Sequence, residues 1–393
     1  MKILIFTPYI GANYGGISGA VQGIADAIAN QGIHVDVVTT DANNLEKIPI
    51  SLNKWIDESL YRMRYFPCWH KNDFVFSWGL IIWLIRHIHE YDVVHTSTVF
   101  SPIVSLIHWL CQLQRVPYVM TPHGMLEPWA LSYKAWKKRL YFKLIEKQIL
   151  EKSSAIHVIA KQEANNMKSL GFNNLVTVPN GIHRKEFLSL ANSEVFYQEF
   201  PATRNQTLIL FLGRIDPKKG LDLLAPAFAQ VHSKFPQTHL IVAGPNSIGF
   251  LATVQDYFAL SGCLEAVTFT GMLTGELKYA ALSAASLYVA PSYSEGFSMS
   301  ILEGMASGLP CVITTGCNFS EAAQAKAADV LDINSNAIAE ALIKRLSQPQ
   351  EAKAMGDRAR EFILQNYTWE IAAQKLIEVY EAIIRQKPLP DYY

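Results

Sequence analysis

The sequence predicts an α/β protein of two doubly wound lobes in tandem. Three observations carry this reading. At 393 residues the chain exceeds one ordinary hydrophobic core. Short β-rich apolar runs alternate with longer helical patterns, the rhythm of parallel βαβ units. That rhythm breaks off near residue 182 and resumes near residue 206.

The first lobe opens with an apolar run at 3–6, a helical pattern at 19–30 and a second run at 35–39. Short runs of mostly β-branched and apolar residues suit parallel strands, which are covered on both faces. The alternation repeats at 92–95, 102–114 and 118–120, then at 155–159, 161–170 and 175–178. Residues 182–205 show mixed polar residues, Pro201 and no apolar period, and read as a linker. Strands at 208–212, 239–242, 267–269, 287–289 and 311–314 build the second lobe, with helical stretches such as 221–235 between them. The last helical stretch, 368–385, has Ile371, Leu376, Val379, Tyr380 and Ile383 at helical spacing. Doubly wound sheets bind ligands at the carboxyl ends of their strands, so the expected site is a cleft between the lobes.

Composition narrows the function. Hydrophobic residues at 50% and charged residues at 17% describe a packed protein, not a disordered one. Lys+Arg and Asp+Glu both total 34, which argues against nucleic acid as a partner. Residues 1–190 hold 19 Lys/Arg against 14 Asp/Glu and the remainder 15 against 20, so the first half is mildly basic. The five cysteines (Cys68, Cys111, Cys263, Cys311, Cys317) are scattered and form no C-x-x-C pair, which speaks against a disulfide framework or a zinc site. A reducing cytosol is the expected compartment. The N-terminus enters a strand pattern directly, without the features of a signal peptide. The longest apolar run, residues 74–85, falls short of the ~20 residues of a membrane-spanning helix.

The most informative segment is Ser294-Glu295-Gly296-Phe297-Ser298-Met299-Ser300-Ile301-Leu302-Glu303, directly after the strand at 287–289. Glu295 lies in a glycine-containing loop and Glu303 in the helix that follows. A carboxylate accepts two hydrogen bonds side by side and so matches the vicinal diol of a sugar or a ribose. Between the two acids lie the amides of a helix N-terminus, which suit a phosphate. Two solvated side chains would give the same spacing. Ile301, Leu302 and Met305, however, mark the helix as packed, and acids on packed helices need partners. A second segment, Gly213-Arg214-Ile215-Asp216-Pro217-Lys218-Lys219-Gly220, follows a strand and opens a helix. Its Arg214 fork and Lys219 point charge fit a diphosphate, and an exposed basic turn is the plainer alternative.

Gly15-Gly16, His123-Gly124, Pro179-Asn180-Gly181, Gly213-Arg214 with Lys219-Gly220, Gly271, and Glu295 with Glu303 occur in an order that resembles the retaining glycosyltransferases of family 4 along essentially the whole chain. The resemblance implies the GT-B fold: two Rossmann-like doubly wound domains facing each other across a cleft, with the C-terminal helix returning to the N-terminal domain. Residues 1–185 with 368–393 would form the acceptor-binding domain and 206–367 the nucleotide-sugar-binding domain. By that resemblance Glu295 binds hydroxyls of the donor sugar, Glu303 binds the ribose, and Arg214 and Lys219 hold the diphosphate. Backbone groups around Met272 and Leu273 meet the base, and Gly15, Gly16, Gly271, Gly296, Phe297 and Ser298 complete the donor-binding set. The family's loop reads Glu-Gly-Phe-Gly, and here Ser298 replaces the last glycine.

In the first lobe His123 follows a strand, and the resemblance sets it against the donor sugar as a positioning hydrogen-bond donor. Gly15 and Gly16 belong to a glycine-rich loop spaced G-x3-G-G-x2-G, which departs from the G-x-G-x-x-G of nicotinamide enzymes although Asp41 follows the second strand. The catalytic set expected is His123, Arg214, Lys219 and Glu295. No D-x-D and no metal-ligand spacing occurs, so no metal and no cofactor is expected beyond a UDP- or GDP-sugar as substrate. The expected product is a surface polysaccharide or glycolipid, built on a glycan or lipid-linked acceptor by transfer of a hexose. The run Trp136-Lys137-Lys138-Arg139-Leu140-Tyr141-Phe142-Lys143-Leu144 mixes bases and aromatics. It suggests peripheral contact with the inner face of the plasma membrane, against the commoner reading of a solvated helix face. A nucleotide-sugar epimerase of the same fold and a non-catalytic nucleotide-sugar-binding protein are the competing readings.

Overall fold

The structure is a computed structural model, and it describes residues 1–11, 16–43, 46–71, 74–127, 135–246 and 248–392. It consists of two compact units, Met1–Gly181 with Trp369–Tyr393, and Ile182–Thr368.

The first unit is built on an eight-stranded sheet. Its strands are β1 (Lys2–Phe6), β2 (His34–Thr40), β3 (Trp55–Glu58), β4 (Tyr61–Phe66), β7 (Val93–Ser97), β8 (Tyr118–Thr121), β9 (Ala155–Val158) and β10 (Leu175–Thr177). They lie in the order β10-β9-β8-β7-β1-β2-β4-β3, parallel except for β3 against β4. A separate hairpin, β5 (Trp69–Lys71) and β6 (Phe74–Phe76), leads into α2 (Trp78–His87). The 74–85 apolar run is therefore split between a strand and a helix. Among the described residues no helix is long and apolar enough to cross a membrane.

Residues on alternate sides of the strands pack against different helices. Leu4, Phe6, Val94 and Met120 share a core with α2, α3 (Pro102–Gln114), α5 (Lys147–Lys152) and α6 (Lys161–Ser169). Ile5, on the other face, lines a small cavity together with Val21 and Ile24 of α1 (Gly16–Asn30). The C-terminal helix α16 (Trp369–Ile384) packs on α1, so the chain does return to its first unit as the resemblance implies. Tyr380 fastens it by a buried hydrogen bond to His95 Nδ1 at 2.6 Å.

The second unit holds a six-stranded parallel sheet of β11 (Thr207–Leu212), β12 (Thr238–Ala243), β13 (Val267–Gly271), β14 (Leu287–Ala290), β15 (Cys311–Thr314) and β16 (Ala328–Leu331). Its order, β13-β12-β11-β14-β15-β16, is that of the dinucleotide-binding folds, with the switch point between β11 and β14. The stretch read as a linker belongs to this unit. It forms the helices α7 (Arg184–Leu188) and α8 (Glu194–Glu199), whose Phe187 and Phe196 are buried beside Leu208 and Met305. Helices of five or six residues offer one anchor each, too few to display a period. All five cysteines are unbridged and buried.

Candidate active site

In the second unit the chemistry gathers at the switch point. β11 ends at Leu212, and the following loop carries Gly213, Arg214, Lys218 and Lys219 before α9 (Leu221–Lys234) begins. Two glycines bring the loops together. Gly220 has φ 70°, and a Cβ there would sit 2.0 Å from the Pro291 carbonyl oxygen. Gly244, after β12, has φ 153°, and its Cβ would lie 1.8 Å from the Gly213 oxygen. Tyr293 N–H donates to the Lys218 carbonyl at 2.8 Å, joining the loop after β11 to the one after β14.

Across this junction Lys219 Nζ donates to Glu295 Oε1 at 2.5 Å, and Ser292 Oγ donates to the same oxygen at 2.7 Å. The Glu295 backbone is clamped as well. Its N–H reaches the Gly316 carbonyl at 2.8 Å, and its carbonyl accepts from Asn318 Nδ2 at 2.6 Å. Both charged side chains of the pair are nearly buried, at 11% and 8% exposure. Lys218 sits in the same field. Burial lowers its ammonium, Glu295 offsets part of that, and Lys219 and Arg214 lower it further. Arg214 itself is exposed. The loop thus sets three cations, Arg214, Lys218 and Lys219, in one field with two carboxylates, Asp216 and Glu295, and the excess of positive charge suits a polyanion.

The donor loop runs on into α12 (Met299–Ala306). Ser298 is its N-cap residue, yet its side chain makes no capping bond, and Ser298 Oγ meets Ser300 Oγ at 3.1 Å instead. The first amides of a helix have no intrahelical acceptor, and no side chain caps these. Ser298 has φ −94°, a conformation open to any residue, so the serine that replaces the family pattern's glycine costs no backbone strain. Phe297 is half-buried against Phe319 and Tyr367.

Glu303 is not on the Lys219 cluster but one turn further along α12, where it pairs with Lys278 Nζ at 2.7 Å. Burial raises its carboxyl, Lys278 counters this, and Glu186 raises it further. Glu186 in turn accepts a short hydrogen bond from the Tyr279 hydroxyl. Gly271 ends β13 with φ 70° and its carbonyl accepts from Gly244 N–H at 2.8 Å, so it abuts the same loops. Met272 is exposed and Leu273 is buried in the core.

In the first unit His123 follows β8 in the left-handed region, φ 52°. Its Nε2 is buried without a hydrogen-bond partner among the described residues. Burial, then the neighbouring His157, lowers its imidazole to about 3, so it is neutral. With His95, Ser97, Thr121 and Ile5 it lines a small cavity. Next to it Gly124 N–H donates to Glu163 Oε1 at 2.6 Å, while Ile159 N–H donates to Glu163 Oε2 at 2.8 Å. Burial raises the Glu163 carboxyl to about 7 against the pull of those two amides. Gly16 is the exposed first residue of α1, and Gly15 lies outside the described residues.

Behind His123 a buried chain of hydrogen bonds fixes two tautomers. The Val178 carbonyl only accepts, so His157 carries its proton on Nε2, at 2.7 Å, and accepts from Thr121 Oγ1 at Nδ1, at 2.9 Å. Thr121 then accepts from His95 Nε2 at 2.7 Å, and His95 Nδ1 accepts from Tyr380. Sequence reasoning missed Lys278, Ser292, Asn318 and Glu163. Lys278, Asn318 and the Glu163–Gly124 bond owe their place to chain crossings that leave no local spacing, whereas Ser292, three residues before Glu295 in the same loop, could have been read from its spacing to that acid. Among the described residues no group of His, Cys, Asp and Glu is arranged to hold a metal ion.

Two Rossmann-like parallel-sheet units in one chain define the GT-B class of α/β enzymes. The family model "Glycosyltransferase Family 4" matches residues 14–186, and "Glycosyl transferases group 1" matches residues 193–362. The chain belongs to glycosyltransferase family 4 and is a glycosyltransferase. It is 24% identical over 405 residues to a phosphatidyl-myo-inositol mannosyltransferase of Mycobacterium tuberculosis, covering 98% of this chain and 97% of that one. It is likewise 24% identical to a D-inositol 3-phosphate glycosyltransferase of Corynebacterium diphtheriae, over 93% and 89% of the two chains. Among solved structures, sucrose-phosphate synthase from Thermosynechococcus elongatus has the same fold, with a TM-score of 0.77 at 20% identity over 98% and 100% of the chains. Anabaena HepE, in complex with UDP and glucose, also scores 0.77, at 17% identity over 97% and 100%.

Proposed function

We propose that this glycosyltransferase moves a hexose from a UDP- or GDP-sugar, with retention and without a metal ion, onto a glycan or lipid-linked acceptor in surface polysaccharide or glycolipid synthesis. The observation that carries this reading is the Lys219–Glu295 pair at the switch point of the second unit, beside the uncapped N-terminus of α12. Diphosphate charge is met by Arg214, Lys219 and the α12 amides, which are worth most when fixed in place before the bond breaks. Glu295 holds sugar hydroxyls once the donor draws Lys219 toward phosphate. Glu303 takes the ribose diol, and Gly271 to Leu273 border the base. On this reading residues 206–367 serve the donor and residues 1–185 the acceptor.

In the transfer the glycosidic C–O bond to the diphosphate breaks and a new one forms from the acceptor hydroxyl on the same face. The acceptor proton passes to a departing diphosphate oxygen, so no separate base is required. His123 suits a positioning role, because a neutral imidazole lowered to about 3 hydrogen-bonds well and accepts protons poorly. A lipid-linked acceptor agrees with the phosphatidyl-myo-inositol after which the mycobacterial relative is named, and it would hold the enzyme at the inner face of the plasma membrane. The test is incubation with radiolabelled UDP- and GDP-sugars, with and without candidate acceptors. Transfer that depends on acceptor supports the reading. Epimerisation without acceptor, or saturable binding with no turnover, replaces it.

A further inference from the structure

Two neighbouring helices of the first unit turn apolar residues outward. On α2, Trp78, Ile82 and Ile85 lie at i, i+4 and i+7 and are 71%, 48% and 50% exposed. On α3, Trp109 and Leu113 lie at i and i+4, with Leu113 at 79%. Gln114 Nε2 donates to the Ile85 carbonyl at 2.9 Å, which ties the C-terminal ends of the two helices together and sets their stripes side by side. The β5–β6 hairpin extends this surface at the N-terminal end of α2. There Phe76 packs edge-on to Trp78 at 4.9 Å, and exposed Trp69 packs edge-on to Phe74 at 5.3 Å. The inward sides of both helices are filled by Leu80, Leu84, Ile103 and Ile107, so both helices are apolar around most of their circumference. A helix of that kind belongs in a core or at a lipid phase, and these lie on the surface.

Charge identifies what covers the surface. Neither helix contains an Asp, Glu or Lys. On the far side of α3 lies the segment of α4 (Ala135–Tyr141) and the π-helical turn Phe142–Glu146, joined to it through Ser105 Oγ and Tyr141 Oη at 2.9 Å. This segment presents exposed Arg139 and Lys143 together with exposed Leu140 and Leu144. Its one acid, Glu146, is buried and accepts from Phe100 N–H at 3.0 Å. An apolar, tryptophan-bearing field with a basic flank matches an anionic bilayer surface: indoles sit at the headgroup level, aliphatic side chains enter the acyl boundary, and cations meet anionic lipid. A second copy docking through the same face would bring no acid from α2 or α3 to meet the basic flank, and the one acid of the flanking segment is buried.

We infer that the α2–α3 face of the first unit, with the β5–β6 hairpin, docks into the surface of an anionic lipid bilayer. This deepens the reading of a lipid-linked acceptor, yet it is tested without any sugar transfer. Purified full-length protein is co-sedimented with phosphatidylcholine vesicles and with vesicles containing about 30% phosphatidylglycerol, alongside the variant Trp78→Ser/Trp109→Ser/Leu113→Ser. These side chains are exposed, and a circular dichroism melt checks that the variant folds. The expected result is salt-sensitive binding to the anionic vesicles, a blue shift of tryptophan emission, and a loss of roughly tenfold or more in partitioning for the variant. Wild-type protein that stays in the supernatant overturns the inference, as does equal binding of the variant. A dimer in sedimentation velocity that the variant abolishes, with no vesicle binding, assigns the face to a second copy instead. UDP binding in a thermal-shift assay with the same samples reports on the donor site separately.

Discussion

Lys219 and Glu295, 76 residues apart, form a nearly buried ion pair of 2.5 Å across the switch point between β11 and β14. Burying two charges costs solvation that their mutual attraction repays only when the hydrogen bonding is good, and here Ser292 supplies a further donor to the same oxygen. Without donor the pair is self-contained. When a diphosphate arrives, Lys219 has a second anion to serve, and Glu295 can turn to neutral hydroxyls.

Lys219→Ala and Arg214→Ala are therefore expected to resemble each other in turnover and differ in stability. Each removes a cation proposed to face the leaving group, so kcat should fall by about 10²–10³ in steady-state assays. Lys219→Ala also strands a buried carboxylate, a loss of about 3–5 kcal/mol in denaturant unfolding. Arg214 is exposed, and its removal should leave unfolding close to wild type. Near-normal kcat in either variant would count against the assignment.

Much of this was legible in the sequence, and the gaps have physical causes. Strands such as Leu287–Ala290 are buried on both faces and stand out as apolar runs. β4, Tyr61–Phe66, alternates with Arg62 and Arg64 and escapes that reading. Arg62 pairs with Asp36 at 2.9 Å and lies over the Trp55 ring, so its charge is answered by residues distant in sequence or on the neighbouring strand. In the site, Glu295 and Glu303 were readable because one loop and one helix carry both. The Lys278 that pairs with Glu303 sits on α11 (Gly275–Ala284), and only the packing of α11 beside α12 brings them together.

If Glu303 holds the ribose, Glu303→Ala should weaken nucleotide binding without touching the chemical step. KM for the donor should rise by about tenfold or more, with kcat retained. The sharper readout is discrimination between UDP and 2′,3′-dideoxy-UDP in calorimetry. Wild type should prefer the ribonucleotide, and the variant should bind the two alike. A variant that still discriminates moves the ribose elsewhere.

Glu163 is expected to position the His123–Gly124 turn. Its two oxygens accept from Gly124 and Ile159 amides, a task that glutamine, with one acceptor and one donor group, cannot complete. Its folded carboxyl is raised to about 7, so as pH falls through 7 it takes a proton and grips those amides less well. In wild type kcat should show a limb near pH 7 that Glu163→Gln lacks, with kcat lowered about tenfold and KM little changed. For stability the sign is opposite: the contribution of a raised carboxyl is complete below the unfolded value near 4.5 and is lost as pH rises through 7. An unaltered pH profile in Glu163→Gln leaves this residue a purely structural role.

The buried histidines should make the first unit sensitive to acid. His95, His108, His123 and His157 are all lowered by burial, His108 and His123 to about 3 and His157 to about 4. Their depressed folded values mean that the unfolded chain binds protons below about 6.5 while the folded chain does not, so stability present above that pH drains away as pH falls. His108, His123 and His157 should each cost about 1 kcal/mol between pH 7.5 and 5.5, and His95 acts in the same direction. Glu146 and Glu163, both raised to about 7, act in the other direction over the same range and cancel part of it. A single substitution isolates the effect. His108 rests on Tyr118 and bonds Thr96 Oγ1 through Nε2 alone, so His108→Gln can keep that one bond while removing the titrating group. Urea unfolding at pH 7.5 and 5.5 should then show a smaller difference in the variant than in wild type, by close to one histidine's share, and equal differences would mean that His108 is already protonated in the folded protein.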